Sequence, residues 1–232
     1  MSNLFTCAQI VSLAMQIAKA PAGYTVQGGQ MLNLVLRDLL VNRDLTVNLL
    51  VENITVGANT NGPFTGAVNY LRSYNFTYVI NSIPFKMSPI TLDDLDVLIK
   101  SPQLANYPDR YAIDVSPQAT QLPLAIYIYP QSNQSLIIQH RYYAQQNDIA
   151  SPESSATIPW FLDQQYLIHA TAAWLMKITD DQRWMEFEKH GEQMLRKYLQ
   201  TEGDREYLTA RVTLDPLLFR RSRSLRPTKL TG

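Results

Sequence analysis

The sequence predicts an α+β protein: a four-helix bundle made from an N-terminal and a C-terminal helix pair, with an inserted β-rich domain and an extended C-terminal arm. Three observations predict it. Apolar residues recur at helical spacing from Thr6 to Leu40 and again after Pro159, they alternate with a period of two in between, and beyond Gly203 the periodicity stops while arginines accumulate. The expected units are a discontinuous helical bundle domain at 1–45 and 157–202, a β-rich inserted domain at 46–156, and an arm at 203–232.

From Thr6 to Ala20, the residues Ile10, Leu13, Ala14 and Ile17 share one helical face, with Thr6 placed to cap the helix and Pro21 to stop it. Thr25 can cap a second helix, on which Met31, Leu32, Val35, Leu36, Leu39 and Leu40 form a broad apolar stripe. The period then changes. Val47, Leu49 and Val51 alternate and lead into the turn-rich stretch Gly57 to Gly66. In the run from Tyr74 to Ile80, Tyr74, Phe76, Tyr78 and Ile80 fall on one face and Asn75, Thr77 and Val79 on the other. The segments AIYIYP and SLIIQHRYY, joined by QSNQ, are expected to pair as a tyrosine-rich hairpin. Between these strands Thr91, Asp93 and Asp94 mark the start of a short helix that ends before Pro102 and Pro108. Pro159 suits a first helical turn, after which Trp160, Leu167, Ala170, Trp174 and Ile178 line a stripe. After the break Thr179–Gln182, a matching stripe follows on Trp184, Phe187, Gly191, Met194, Leu195 and Tyr198.

Composition narrows the class. Apolar residues make up 46% and charged residues 17% of 232, which supports a real core and a surface that meets other protein, as do the 13 tyrosines. Cys7 is the only cysteine, so no intrachain disulfide is expected, in keeping with folding in a reducing cytoplasm. The N-terminal stretch lacks a basic start and a continuous apolar run, and no window reads as a membrane span, so a soluble chain made in the cytoplasm is expected.

Catalytic and metal chemistry find little support. His140, His169 and His190 sit in three different elements and in no ligand spacing. Glu186 and His190 share a helix face and read as a solvated pair. Cys7 reads as a small buried hydrophobe, and Asp93, Asp94 and Asp96 read as acids at a helix N-terminus, since the glycine and terminal glutamate of a calcium loop are missing. Gly28 and Gly29 belong to no phosphate-binding motif. No cofactor, no metal and no enzymatic activity are expected.

The arm carries the one functional signal. From Arg211 onward six cations face Asp215 alone, a net +5 that leaves −5 on the rest of a chain whose total is zero. Leu217, Leu218 and Phe219 stand directly before Arg220, Arg221, Arg223 and Arg226. Apolar anchors followed by guanidinium groups suit a partner surface that is grooved and acidic.

Three segments carry a family resemblance: NYPDRYAID at Asn106–Asp114, IYIYPQSNQSLIIQHRYY at Ile126–Tyr143, and the closing stretch from Ile158 to Leu195. In that order, between an N-terminal helix pair and a basic end, they resemble the head-to-tail adaptor proteins of short-tailed, P22-like phages. The stretch Thr46–Ser88 has no counterpart in the resemblance. The resemblance implies a structural virion protein at the head–tail junction, a homo-oligomeric ring of twelve beneath the portal that links it to a tail nozzle or tube protein. Genome DNA would pass through the lumen without sequence-specific binding, and Leu217, Leu218, Phe219, Arg220, Arg221, Arg223 and Arg226 would contact the portal. A body of charge −5 suits a channel wall that does not retain phosphates. The competing expectation is a nucleic-acid-binding protein that uses the basic tail, and behind it a hydrolase with an unrecognised site.

Overall fold

The structure, a computed structural model, describes residues 4–100, 103–117 and 122–207, the last six by their backbone alone. It is a mixed α+β architecture. Helix α1 (Cys7–Ala18) begins where the sequence predicts: the Thr6 hydroxyl accepts from the Gln9 N–H at 3.3 Å while the Gln9 amide oxygen accepts from the Thr6 N–H at 2.9 Å. Lys19, in the left-handed region at φ 53°, closes it. Helix α2 (Thr25–Asn42) has no side-chain cap. Thr25 is already helical and its hydroxyl donates to the Ala22 carbonyl at 2.7 Å, because a 3-10 turn at Ala22–Tyr24 feeds directly into the helix.

Helix α4 (Gln164–Ile178) starts later than Pro159, capped by the Asp163 carboxylate, which accepts from the Tyr166 N–H at 3.2 Å. The expected stripe is therefore rotated. Trp174 and Ile178 stay 40% and 45% exposed, and the buried face is Leu167, Ile168, Thr171, Ala172, Leu175 and Met176, where alanines let neighbouring helices approach. Helix α5 (Trp184–Tyr207) runs through Gly203, so the expected start of the arm falls inside a helix. One apolar cluster joins Ile10, Ala14, Leu32, Leu36, Leu39, Phe161, Leu167, Leu175 and Leu195, with residues from all four of these helices. No helix among the described residues is long and apolar enough to cross a membrane.

The middle of the chain forms β1 (Leu49–Val56), β2 (Phe64–Thr65), β3 (Tyr70–Ile80), β4 (Ile83–Lys86), β5 (Ser88–Pro89), helix α3 (Leu92–Ile99), β6 (Leu104–Ala105), β7 (Arg110–Asp114), β8 (Ala125–Tyr129), β9 (Gln131–Ser132) and β10 (Leu136–Ala144). Helix α3 is capped as expected, the Thr91 hydroxyl accepting from the Asp94 N–H at 3.1 Å. A first sheet has the strand order β1-β10-β3-β4 and a second β2-β8-β7-β5, with a small β6-β9 pair beside them. Their facing sides enclose a second cluster, in which Ile54, Val56, Phe76, Ile126, Ile128 and Ile138 are buried.

Two strand expectations are overturned. AIYIYP and SLIIQHRYY do not form a hairpin: β8 pairs with β7 and β2, whereas β10 pairs with β1 and β3. The linking residues Gln131 and Ser132 pair with β6 instead of closing a turn, so the chain steps from one sheet to the other. In β1 the inward side carries Glu52, Ile54 and Val56, while Val47 and Val51 are exposed, because Thr46–Asn48 is a 3-10 turn that shifts the strand's start. In β3 the expected face holds for Phe76 and Tyr78, but Tyr74 is 49% exposed. Arg141 pairs with Asn75 and Tyr142 with Ser73, which leaves Tyr74 as the extra residue of a bulge.

After β10 the chain packs back on the helices. The Asn33 amide donates to the Ile149 carbonyl at 3.0 Å and its oxygen accepts from the Ile149 N–H at 3.1 Å. A Cβ on Gly29 would lie 2.5 Å from a carboxylate oxygen of Glu153 and 3.1 Å from its backbone nitrogen, so this glycine within α2 admits the loop.

Candidate functional site

The seven residues expected to contact a portal, Leu217, Leu218, Phe219, Arg220, Arg221, Arg223 and Arg226, lie outside the described residues. Cys7 is a buried free thiol, pushed up from its ordinary pKa by burial, as a structural cysteine would be. No ion pair joins Glu186 to His190; the His190 ring instead faces that of His169, with centroids 4.9 Å apart. Among the described residues no group of three or more histidine, cysteine, aspartate or glutamate side chains could hold a metal ion.

The sequence does not foretell what surrounds His140. The fold pairs it across strands with Glu52 on β1 and Phe76 on β3. Its Nδ1 lies 2.7 Å from Glu52 Oε1 and its Nε2 lies 2.9 Å from Ser73 Oγ. The Tyr70 hydroxyl sits 3.3 Å from Ser73 Oγ and accepts from the Ser73 N–H at 2.9 Å. With a neutral ring the directions are fixed: an ionised carboxylate only accepts, so Nδ1 carries the proton, Nε2 accepts from Ser73, and Ser73 accepts from Tyr70. Glu52 also accepts from the Ala67 N–H at 3.2 Å.

Serine, histidine and glutamate in this order are the parts of an activated nucleophile. Their setting argues for another role. His140 is 0% exposed and stacked on Phe76 with centroids 4.0 Å apart, and the Ser73 hydroxyl has the imidazole on one side and the Tyr70 phenol on another. A substrate carbonyl would have to displace that phenol to meet Ser73. The arrangement is a satisfied hydrogen-bond chain that fixes the register of β1, β10 and β3.

The first sheet's outer side is exposed along its strands. Register places Thr55 of β1 opposite Ile137 of β10 and Val79 of β3 opposite Pro84 of β4, while the pairing of Ile138 with Tyr78 sets Ile137 beside Val79. Ile137 and Val79 are each 65% exposed, so an apolar row of Ile137, Val79 and Pro84 crosses β10, β3 and β4 and ends on Thr55 of β1. The next row, Asn53, Gln139, Thr77 and Lys86, is almost uncharged. The β3–β4 hairpin turns on Asn81 and Ser82, both at positive φ, and exposes Ile83 and Phe85 on its other side. Pro84 denies that edge a backbone donor, which favours side-chain contacts over added strands. Exposed contiguous apolar surface of this kind is a candidate for contact with protein. The sequence signal for it was present in Val79, which the strand alternation places opposite Phe76 and Tyr78.

No protein-family model matches the chain, and no curated protein matches it either.

Proposed function

We propose that this chain is a structural subunit of a tailed phage, a head-to-tail adaptor whose copies form a ring beneath the portal and continue the DNA channel. In this reading α1, α2, α4 and α5 act as a four-helix bundle, the β-rich part is an insertion into it, and the arm contacts the portal through Leu217–Phe219 and the arginines that follow. The sequence resemblance motivates the reading, and the apolar outer face of the first sheet is the structural observation that carries it. A ring subunit needs lateral faces able to bury apolar area against a neighbour, and it needs no catalytic group.

Negative-stain microscopy of the protein mixed with the purified cognate portal tests the proposal. A second ring layer of adaptor density is expected on the portal. Portal particles unchanged by a saturating excess of this protein would overturn it.

A further inference from the structure

Helices α2, α4 and α5 leave a cleft of about 230 Å³ between them. Its floor is apolar, from Val35, Ala170 and Ala173, and its rim carries the half-exposed Trp174 with Asp38, Glu188 and Glu192. Small-molecule sites are typically about 300–1,000 Å³, so this cleft is sized for one or two side chains. Its carboxylates are incompletely used. Lys177 engages one oxygen of Glu188 at 2.5 Å, Arg43 approaches one of Glu192 at 3.5 Å, and Asp38 accepts only from the neutral Asn42 amide at 2.6 Å. An ionised carboxylate has room for about four hydrogen bonds.

Tyr166 lines the same cleft. It is 6% exposed, yet its hydroxyl has no hydrogen-bond partner among the described residues. Burial, then the charges of Glu192 and Asp38, hold its pKa well above the ordinary phenol range. The cleft thus combines an apolar floor, spare acceptors and an unpartnered phenol hydroxyl. The chain's own sequence contains the complement: Leu217, Leu218 and Phe219, then four arginines within seven residues, in a net +5 segment against a −5 remainder.

We infer that in the unassembled subunit the segment Leu217–Arg226 docks in the α2–α4–α5 cleft of its own chain, with Phe219 on the floor and guanidinium groups on Asp38, Glu188 and Glu192. The reach suffices. At about 1.5 Å per helical residue, α5 carries the chain roughly 22 Å from Glu192 to Tyr207. The ten residues from there to Leu217 can return roughly 33 Å when extended. An intrachain site also competes at an effective concentration near the millimolar range, well above that of a second copy at micromolar protein. The inference rests on the reading of this segment as a docking arm. It adds a closed state from which a portal must displace the arm.

The test uses the full-length chain with a photoreactive benzoylphenylalanine in place of Phe219, irradiated alone at low micromolar concentration and mapped by mass spectrometry. Crosslinks to α2, α4 and α5 residues of the cleft are expected, in a band of monomer mass. Glu192→Lys should lower their yield about fivefold, and Arg221→Glu on top of it should restore most of the loss, with circular dichroism confirming that each variant is folded. Crosslinks in a band of dimer mass would assign the cleft to a neighbouring copy and overturn self-docking. So would crosslinks elsewhere on the chain, none at all, or a yield indifferent to both charge changes. Portal binding is read separately by co-sedimentation, so an adaptor that binds portal without these crosslinks sinks this inference alone.

Discussion

Arg72 of β3 donates through Nε to the Asp44 carboxylate at 2.8 Å, and the same guanidinium closes the carboxyl end of α2. Its NH1 donates to the carbonyls of Leu40 at 3.3 Å and Val41 at 3.1 Å, and its NH2 to that of Arg43 at 2.8 Å. Those carbonyls are the acceptors a helix leaves unused at its C-terminus, where a cation also meets the negative end of the helix dipole. The plane of the guanidinium rests over Tyr143 at 4.8 Å. One side chain therefore ties β3 to the carboxyl end of α2. Arg72→Ala should cost about 2 kcal/mol, from lost charge-assisted bonds at a partly exposed site. Arg72→Lys should recover little of that, because an ammonium cannot span the fork. Urea unfolding reads both, and a lysine variant as stable as the parent would show that the charge alone suffices.

The buried chain around His140 predicts a larger effect. His140→Ala would leave Glu52 Oε1 and Ser73 Oγ without their partner inside the β-rich core and open a void beside Phe76, at a cost of about 3 kcal/mol. Glu52→Ala made alone should cost less, since Glu52 is partly exposed. In a double-mutant cycle the pair should couple by about 1 kcal/mol or more. Additive losses would mean that the 2.7 Å contact contributes nothing of its own.

Acid should weaken the α4–α5 contact. Burial first, and then the neighbouring His190, hold the His169 imidazole below its ordinary pKa, with Asp163 opposing more weakly, and its Nδ1 has no partner. The folded value being the lower one, the unfolded chain takes up the proton first as pH falls. The stability from a neutral His169 is complete above about 6.5, the ordinary imidazole value, and is lost as pH falls from there toward the folded value. Melting temperatures measured between pH 7.5 and 5.5 should fall, and His169→Gln should flatten part of that slope. Identical slopes in the two proteins would remove His169 from the account.

Gly29 makes an opposing pair of effects measurable. In an exposed helix Gly→Ala would stabilise by about 1 kcal/mol. Here a methyl group would meet Glu153 at 2.5 Å and Pro152 at 3.3 Å, and the Glu153 backbone cannot step aside as a flexible side chain can. Gly29→Ala should therefore destabilise, by about 1 to 3 kcal/mol. Removing the carboxylate by Glu153→Ala in the same chain should return only part of the loss. A more stable Gly29→Ala protein would show that the loop yields freely.

Helices were legible wherever local chemistry sets them. Thr6 and Gln9, Thr91 and Asp94, and the stripe from Leu32 to Leu40 act within a turn or two, so their sequence spacing is their geometry. What failed was non-local. Nothing in AIYIYP or SLIIQHRYY states which sheet each will join, because strand pairing is decided by partners far along the chain, Leu49–Val56 for one and Arg110–Asp114 for the other. Helical spacing puts Trp174 on the apolar stripe, whereas Ala172 and Ala173 are among the buried residues of that helix and the indole stays on the rim. The Glu52–His140–Ser73 chain is non-local in the same way, its members 88 and 67 residues apart in sequence.

The arm gives the sharpest test of function. Its residues beyond Arg211 hold seven hydrophobic side chains, Val212, Leu214, Leu217, Leu218, Phe219, Leu225 and Leu230, between prolines and cations. Such a stretch buries too little on its own to offset the entropy of ordering it, so docking requires a surface that supplies both an apolar groove and carboxylates. A chain truncated after Arg211 should keep its fold, with a melting temperature lowered by no more than a few degrees, the size of a shift expected from about 1 kcal/mol in a protein of this length. The same truncation should reduce co-sedimentation with the cognate portal at least tenfold, since anchors of this type dominate an interface. Unchanged portal binding would refute the docking role, and a collapsed melting temperature would make the arm part of the core. Salt-sensitive retention on DNA by the full chain, lost on truncation while portal binding stays intact, would move the function to nucleic acid, because only phosphate contacts released as counterions give that steep dependence.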